Sequence, residues 1–479
     1  MSGVKSNRTA KGILWAAIDK FGIVLLQFVI NLVLARLLTP HAFGCVGMIL
    51  IFIAVSQVLI DGGFGAALIQ RVKPSEADYS TIFYWNTLFS VLLYGVIYVV
   101  SPGVASFFNT AMLEELLRVL GLVIIINSLS IVQRTILRKR LDFKRIAIID
   151  IISYSISSII AIYIAHRGYG AWSLVGMQLA NAALSAAMFW LVAKWRPSLV
   201  FSLQSLKSLF SYGGYILVAS IMQDICTHIQ GVVIGHRFSA AQTGLYAQAK
   251  KMDEVASMTL PAVFCQVLFP LYSEQQDNIE HLRDMLRKNV QTIAFIIFPL
   301  MMLLIIIAKP LFLLLYGTQW CDAVPYFQIL CIGGFFSALY NFSYYAVAAV
   351  GKSKALFYWG CYKWSMLLVL LLIGASISMT GVLIAMVISN INIYVTNALL
   401  AQLYIGYRLS QQIIDVLPML GCTLVCGGVG FMLYSIVGLH WVLSSGLFVI
   451  LYLVVCYLCR LDAIKYVKHS VKSLITKCQ

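Results

Sequence analysis

Apolar stretches long enough to cross a membrane follow one another along the whole of this chain, with only short polar connections between them. They fall at roughly 12–37, 43–67, 80–101, 114–136, 146–165, 170–193, 209–235, 242–271, 290–316, 324–349, 355–378, 381–405, 415–437 and 440–459. About 20 apolar residues span a hydrocarbon core roughly 30 Å thick, so the pattern predicts an all-α integral membrane protein of about 14 transmembrane helices. The longest polar connections, around 194–208 and 273–289, are near the upper end of ordinary loops. They leave no room for a soluble domain, and no nucleotide-binding loop or metal-binding helix motif appears.

Charge gives these segments a direction. Hydrophobic residues make up 61% of the chain, charged residues 11%, and the mean hydropathy is +0.90. With the N-terminus inside, the cytoplasmic connections hold 25 of the 34 Lys and Arg residues. They include the run Arg134, Arg138, Lys139, Arg140, Lys144, Arg145 and the tail Arg460, Lys465, Lys468, Lys472, Lys477. The outer connections hold Arg36, Arg167 and Arg237. This asymmetry follows the positive-inside rule and predicts cytoplasmic termini. Anionic headgroups account for the net charge of +16, so no nucleic-acid partner is expected. The first stretch carries Asp19 and Lys20 and lacks a small-residue cleavage site, so no cleavable signal is expected. The spacings Cys422/Cys426 and Cys456/Cys459 lack nearby histidines and read as packing rather than as a metal site.

The chain also repeats itself. An offset of 200 places Tyr215 on Trp15, Gly235-His236 on Ala35-Arg36 and Thr243-Gly244 on Phe43-Gly44. The offset grows to 208 at Lys309-Pro310, which falls on Ser101-Pro102, and to 211 at Gly381 and Asn392, which fall on Gly170 and Asn181. Six helices per copy is an even number, so both copies share one orientation and the pseudo-twofold runs along the membrane normal. The predicted organisation is an N-terminal lobe at 1–195, a cytoplasmic linker at 196–208, a C-terminal lobe at 209–408, and two further helices with a basic tail at 409–479. A central cleft is expected between the lobes.

The segment Gly12…Trp15…Leu34-Ala35-Arg36-Leu37-Leu38-Thr39-Pro40…Phe43-Gly44 carries a family resemblance. It continues in Asp61-Gly62-Gly63-Phe64-Gly65, Ile69-Gln70-Arg71, Arg196-Pro197-Ser198-Leu199…Phe210-Ser211-Tyr212-Gly213 and Leu268-Phe269-Pro270. Taken in order, these resemble polysaccharide flippases of the multidrug/oligosaccharidyl-lipid/polysaccharide superfamily, in its colanic-acid-exporter-like branch. The resemblance implies alternating access and a substrate of undecaprenyl-pyrophosphate-linked oligosaccharide, moved across a bacterial inner membrane. It also implies a polysaccharide polymerase and chain-length machinery as partners. No covalent chemistry and no cofactor are expected; H+ and Na+ coupling are both left open.

Charges inside membrane helices cost about 2.5–3.5 kcal/mol each on insertion scales, so each asks for a reason. Asp19 and Lys20 are adjacent and point about 100° apart, so they do not pair along one face. Lys20 reads either as a pyrophosphate contact or as a snorkelling lysine. Lys250, Lys251, Asp253 and Glu254 share the eighth segment, with Lys250 and Glu254 spaced for an ion pair. Lys20, Lys250, Lys251, Asp19 and Glu254 are the substrate-path candidates. Asp224 and His228, one turn apart in the seventh segment, are ion-coupling candidates or an interhelical bond. Lys363 near an inner helix end reads as snorkelling. Asn31, Asn86, Asn127, Asn181, Asn341, Asn390 and Asn392 line a sugar path or glue helices together. The aromatic run Phe335, Phe336, Tyr340, Phe342, Tyr344 and Tyr345 stacks on sugars or packs. Two other activities are weighed: a cation-coupled multidrug exporter of the same fold, and a membrane polymerase or ligase of glycan assembly. Short outer loops argue against the enzyme.

Overall fold

The computed structural model describes residues 22–461, and these form helices joined by short connections, with no strand among them. The first described helix is α1 (Gly22–Leu37). There follow α2 (Pro40–Asp61), α3 (Phe64–Gln70), α4 (Glu76–Phe107), α5 (Met112–Ser128), α6 (Ile131–Lys139), α7 (Phe143–His166), α8 (Ala171–Ala193) and α9 (Leu203–Arg237). Then come α10 (Ala240–Glu254), α11 (Leu260–Glu274), α12 (Ile279–Ile306), α13 (Ala308–Leu315), α14 (Val324–Ala349), α15 (Ser353–Ile377), α16 (Met379–Ile405), α17 (Leu409–Ser435) and α18 (Trp441–Leu458). A π-helical turn at Val255–Thr259 joins α10 to α11.

Among the described residues, 11 helices are long and apolar enough to cross a membrane, or 12 when the bent pair α5–α6 counts as one span. Every one of the fourteen expected segments overlaps helix, yet two do not meet that measure. The first is described only from Gly22, and α9 dilutes its apolar run with Gln223, Asp224, His228 and Gln230. The protein is thus a multi-pass membrane protein, and the exact count of fourteen spans is not reached by length and composition.

Local chemistry sets the helix ends. Pro40 opens α2 behind an extended Thr39, where its missing N–H costs nothing. Gly62 and Gly63 adopt φ of 55° and 72°, and this pair of left-handed residues separates α2 from α3. Ser75 and Asp78 form a reciprocal capping box at the start of α4. The chain after α8 is not a loose tether. Trp195 Nε1 donates to Glu76 Oε2 at 2.8 Å, and the backbone amides of Ser198 and Ser202 donate to the Ser80 and Thr81 hydroxyls at 2.9 Å each.

The chain divides into two compact units between Gly244 and Leu245, so α9 and the expected linker both lie in the first. In that unit α2, α5 and α8 enclose a core of Met48, Ile49, Leu116, Leu120, Ile124 and Val175. Two close approaches there need glycine. A Cβ on Gly44 would lie 1.6 Å from the Ala240 carbonyl oxygen, and one on Gly244 would lie 1.9 Å from that of Pro40. Pro40 and Ala240 are themselves partners at the offset of 200, so the repeat read in the sequence recurs as a reciprocal contact.

In the second unit α12 packs against α14 and α17. The Arg287 guanidinium grips both oxygens of Asp415 at 2.6 Å, and the Tyr407 hydroxyl adds a bond at 2.7 Å. Tyr452 on α18 donates to the Phe295 carbonyl on α12 at 3.1 Å.

Candidate functional site

The first unit contains a cavity of about 710 Å³ whose walls carry both polar and apolar side chains. Its position follows from a break. The expected segment 114–136 is two helices, α5 and α6, bent by 41° at Leu129 and Ser130. A broken helix frees backbone groups that lipid cannot satisfy. Here Trp190 Nε1 donates to the Leu129 carbonyl at 2.7 Å, which stabilises the bend.

The bend sets the course of α6. Val132, Ile136 and Leu137 are buried, while Arg134 and Arg138, one turn apart, line the cavity. Arg134 Nη2 is ion-paired with Asp150 Oδ2 of α7, and its guanidinium lies 5.4 Å from the centre of the Phe189 ring. Among the described residues its buried Nε has no hydrogen-bond partner. At the end of the α6 segment Lys139 Nζ donates to the carbonyls of Leu68 and Ile69 at 2.8 and 3.0 Å, and to that of Arg71. It therefore caps the C-terminus of α3 with a positive charge.

Asp61 enters from the α2–α3 joint, where the Gly65 backbone bonds its carboxylate and Arg138 acts on it electrostatically. Gln27, Gln57, Asn127, Asn181, Ser185 and Ser220 supply amides and hydroxyls to the same walls. Asn127 donates to Gln57 at 3.2 Å. Two arginines, two aspartates and a mixed set of donors and acceptors thus face one compartment. Such a lining offers hydrogen bonds to hydroxyls and charge-assisted bonds to phosphate.

The sequence candidates fall in several places. Trp15, Asp19 and Lys20 lie outside the described residues. Asp61 reaches the cavity; Gly62 forms the joint beneath it; Pro40 and Gly44 shape the α2 contact; Arg36 is exposed near the end of α1. Asp224 and His228 are half-buried on α9, and Asp224 stands one turn beyond the cavity residue Ser220. Lys250 and Glu254 make the expected ion pair at 3.6 Å. Neither they nor Lys251 line this cavity. Lys363 lies 4.4 Å from the Trp364 ring centre and 5.5 Å from that of Tyr340, a cation–π setting rather than simple snorkelling.

Of the amides, Asn127 and Asn181 line the cavity, whereas Asn392 exchanges bonds with Tyr362 at 3.1 and 3.3 Å between α16 and α15. Of the aromatic run, Phe335, Tyr340 and Phe342 are buried, with Phe335 edge-on to Phe298 at 5.3 Å. The α17–α18 contact brings Cys422 within bonding reach of Cys456 and Cys459. Among the described residues, no group of three ligands is arranged for a metal ion.

Arg134, Arg138 and Asp150 were not singled out in the sequence. Arg134 and Arg138 sit in a basic run that reads as a cytoplasmic loop. The available signal was their spacing of four beside a carboxylate within the next apolar segment.

Comparison with known proteins bears on what such a site serves. Residues 33–325 match the family described as "Polysaccharide biosynthesis protein". The chain belongs to that family. It is 27% identical to the teichuronic acid biosynthesis protein TuaB of Bacillus subtilis (strain 168) over 73% of this chain and 72% of that one. It is 26% identical to the lipopolysaccharide biosynthesis protein WzxC of Escherichia coli (strain K12) over 70% of this chain and 68% of that one. Among solved structures it is similar to the lipid II flippase MurJ in an inward closed conformation. That likeness has a TM-score of 0.75 and 16% identity, and covers 94% of this chain and 100% of that one. The membership agrees with the resemblance carried by the Arg36–Gly44 and Asp61–Gly65 motifs, and the fold is similar to that of MurJ.

Proposed function

We propose that this protein moves a lipid-linked oligosaccharide across a bacterial inner membrane, with the glycan and pyrophosphate held by protein and the prenyl chain left in lipid. The observation that carries the reading is the polar cavity of the first unit, where Arg134 and Arg138 stand among amides and hydroxyls. A glycan presents hydroxyls that both donate and accept, and a pyrophosphate presents anionic oxygens; this lining answers both. Family membership and the flippase-like fold support the same cargo. Alternating access, cytoplasmic termini and the division at the 196–208 linker belong to this reading. A polymerase taking the cargo at the outer face belongs to it as well.

The test is initial flipping rate in proteoliposomes loaded with undecaprenyl-pyrophosphate-linked oligosaccharide, read by loss of lectin access from one leaflet. A charge-assisted bond contributes about 1.5–3 kcal/mol, so Arg138→Gln lowers the rate roughly tenfold or more. Arg145→Gln, whose side chain is 57% exposed outside the cavity, leaves it unchanged. Equal rates for the two variants would remove the cavity from the pathway.

A further inference from the structure

The second unit holds a carboxylate that the cavity does not use. Asp253 ends the regular part of α10 and is 8% exposed. Its Oδ2 accepts from the Ser257 hydroxyl at 3.0 Å. Among the described residues its buried Oδ1 has no hydrogen-bond partner. Among the described residues no basic side chain is ion-paired with Asp253, because Lys250, one turn back, pairs instead with Glu254.

The surroundings of Oδ1 are tightly closed. Oδ1 faces Gly334 of α14, where even a Cβ would come within 2.9 Å of it, 2.7 Å of Met301 Sδ and 3.3 Å of the Ser257 Cβ. Met301, Cys331 and Ser257 are fully buried. The titratable groups that face Asp253 are Tyr246, Lys250 and Glu254 from α10, with Cys331 and Tyr340 from α14. Lys250 and Glu254 act on it in opposite senses. Lys363 of α15 lies beyond, against the ring of Tyr340. An ionised carboxylate with an unsatisfied oxygen in such a site is strongly disfavoured.

The second observation is the backbone beside it. Ser257, the one hydrogen-bond partner of Asp253, lies within the π turn Val255–Thr259. The π turn interrupts a segment that reads in sequence as one continuous helix. Single π turns carry an extra residue and are frequent at functional sites. Met258, in the same turn, receives the Tyr340 hydroxyl at 3.4 Å.

We propose that Asp253 is a proton-binding site: it holds a proton on its carboxyl while α14 closes over it, and gives that proton to water when the π turn loosens and admits solvent. The proton binds to and leaves one carboxylate oxygen, with no other bond made or broken. Buried midway along the 35-residue span Ala240–Glu274, the group would let the proton gradient bias the transport cycle. Its purpose rests on the translocation reading; its protonation does not.

Infrared difference spectroscopy of the purified full chain between acidic and alkaline buffers tests the site directly. The wild type shows a protonated-carboxyl C=O band that Asp253→Asn lacks and Asp253→Glu keeps. Ser257→Ala, which removes the donor, shifts the same band to higher frequency. A band that survives in Asp253→Asn and ignores Ser257→Ala overturns the assignment. In proteoliposomes carrying lipid-linked oligosaccharide, an imposed pH gradient speeds flipping by the wild type and by Asp253→Glu, and this response is lost in Asp253→Asn. Acceleration by a Na+ gradient alone, with none by pH, overturns the proton in favour of a metal cation. If the wild type flips nothing under any gradient, the translocation reading fails while the infrared band still decides the proton site.

Discussion

The reciprocal contact at Gly44 and Gly244 allows a sharp test of the packing argument. In Gly44→Ala the new Cβ would lie 1.6 Å from the Ala240 carbonyl oxygen. Carbon and oxygen tolerate about 3.2 Å, so the two backbones must part by about 1.6 Å, and neither has a side chain that could rotate away. Overpacking of this kind costs about 1–3 kcal/mol. Alanine returns about 0.5–1 kcal/mol through its better helix propensity, leaving a net loss of up to about 2.5 kcal/mol. In a chain of 479 residues, where unfolding entropy is about 1 kcal/mol/K, that corresponds to a fall in Tm of up to about 2.5 °C. The assay is thermal melting of detergent-purified protein, with Gly95→Ala and Gly103→Ala on α4 as comparisons, since a Cβ at either position meets nothing within 4 Å. Those two hold or raise the Tm. Gly244→Ala, blocked by the Pro40 carbonyl at 1.9 Å, falls with Gly44→Ala. If Gly44→Ala melts together with the α4 variants, the glycine requirement is refuted.

Two further predictions concern other parts of the fold. Arg287→Gln removes the bidentate partner of Asp415, whose side chain is 4% exposed, and lowers stability by about 2 kcal/mol in a melt; Asp415→Asn with Arg287→Gln recovers part of that loss, because no carboxylate is then stranded. Reporter fusions active on one side of a membrane place Thr39, Phe108, Thr318 and Met379 outside and Lys139, Asp277 and Gln479 inside; an outward Gln479 refutes the predicted orientation.

Much of the fold was legible because the bilayer imposes a single length scale on every segment. The stretches 170–193, 324–349 and 381–405 correspond closely to α8, α14 and α16. What the pattern hid were interruptions inside apolar runs. Nothing in 114–136 announces a 41° bend at Leu129, since the tryptophan that satisfies the freed carbonyl lies 61 residues away. Nor does 242–271 reveal its π turn. The site was obscured for a related reason. An arginine near the inner end of a helix has the same sequence signature whether it reaches the headgroups or, as Arg134 does, turns back to a carboxylate on the next helix. Asp61 was visible as a motif residue, but its environment needed the paired glycines that end α2. Lys250 and Glu254 were paired correctly from their spacing, because that contact is local.

The bond between Arg134 and Asp150 has a consequence for turnover. An anion entering the cavity does not meet an idle guanidinium; it competes with a carboxylate already in place. On the proposed reading each binding event is an exchange, in which the guest gains an arginine and Asp150 loses one. Exchange of this kind keeps selectivity for anionic groups but caps residence time, because Asp150 stays at hand to reclaim its partner. A carrier that held its cargo as tightly as two unopposed arginines would allow would load well and then stall. On that reading the acid built into the wall is the competitor that sends the cargo on.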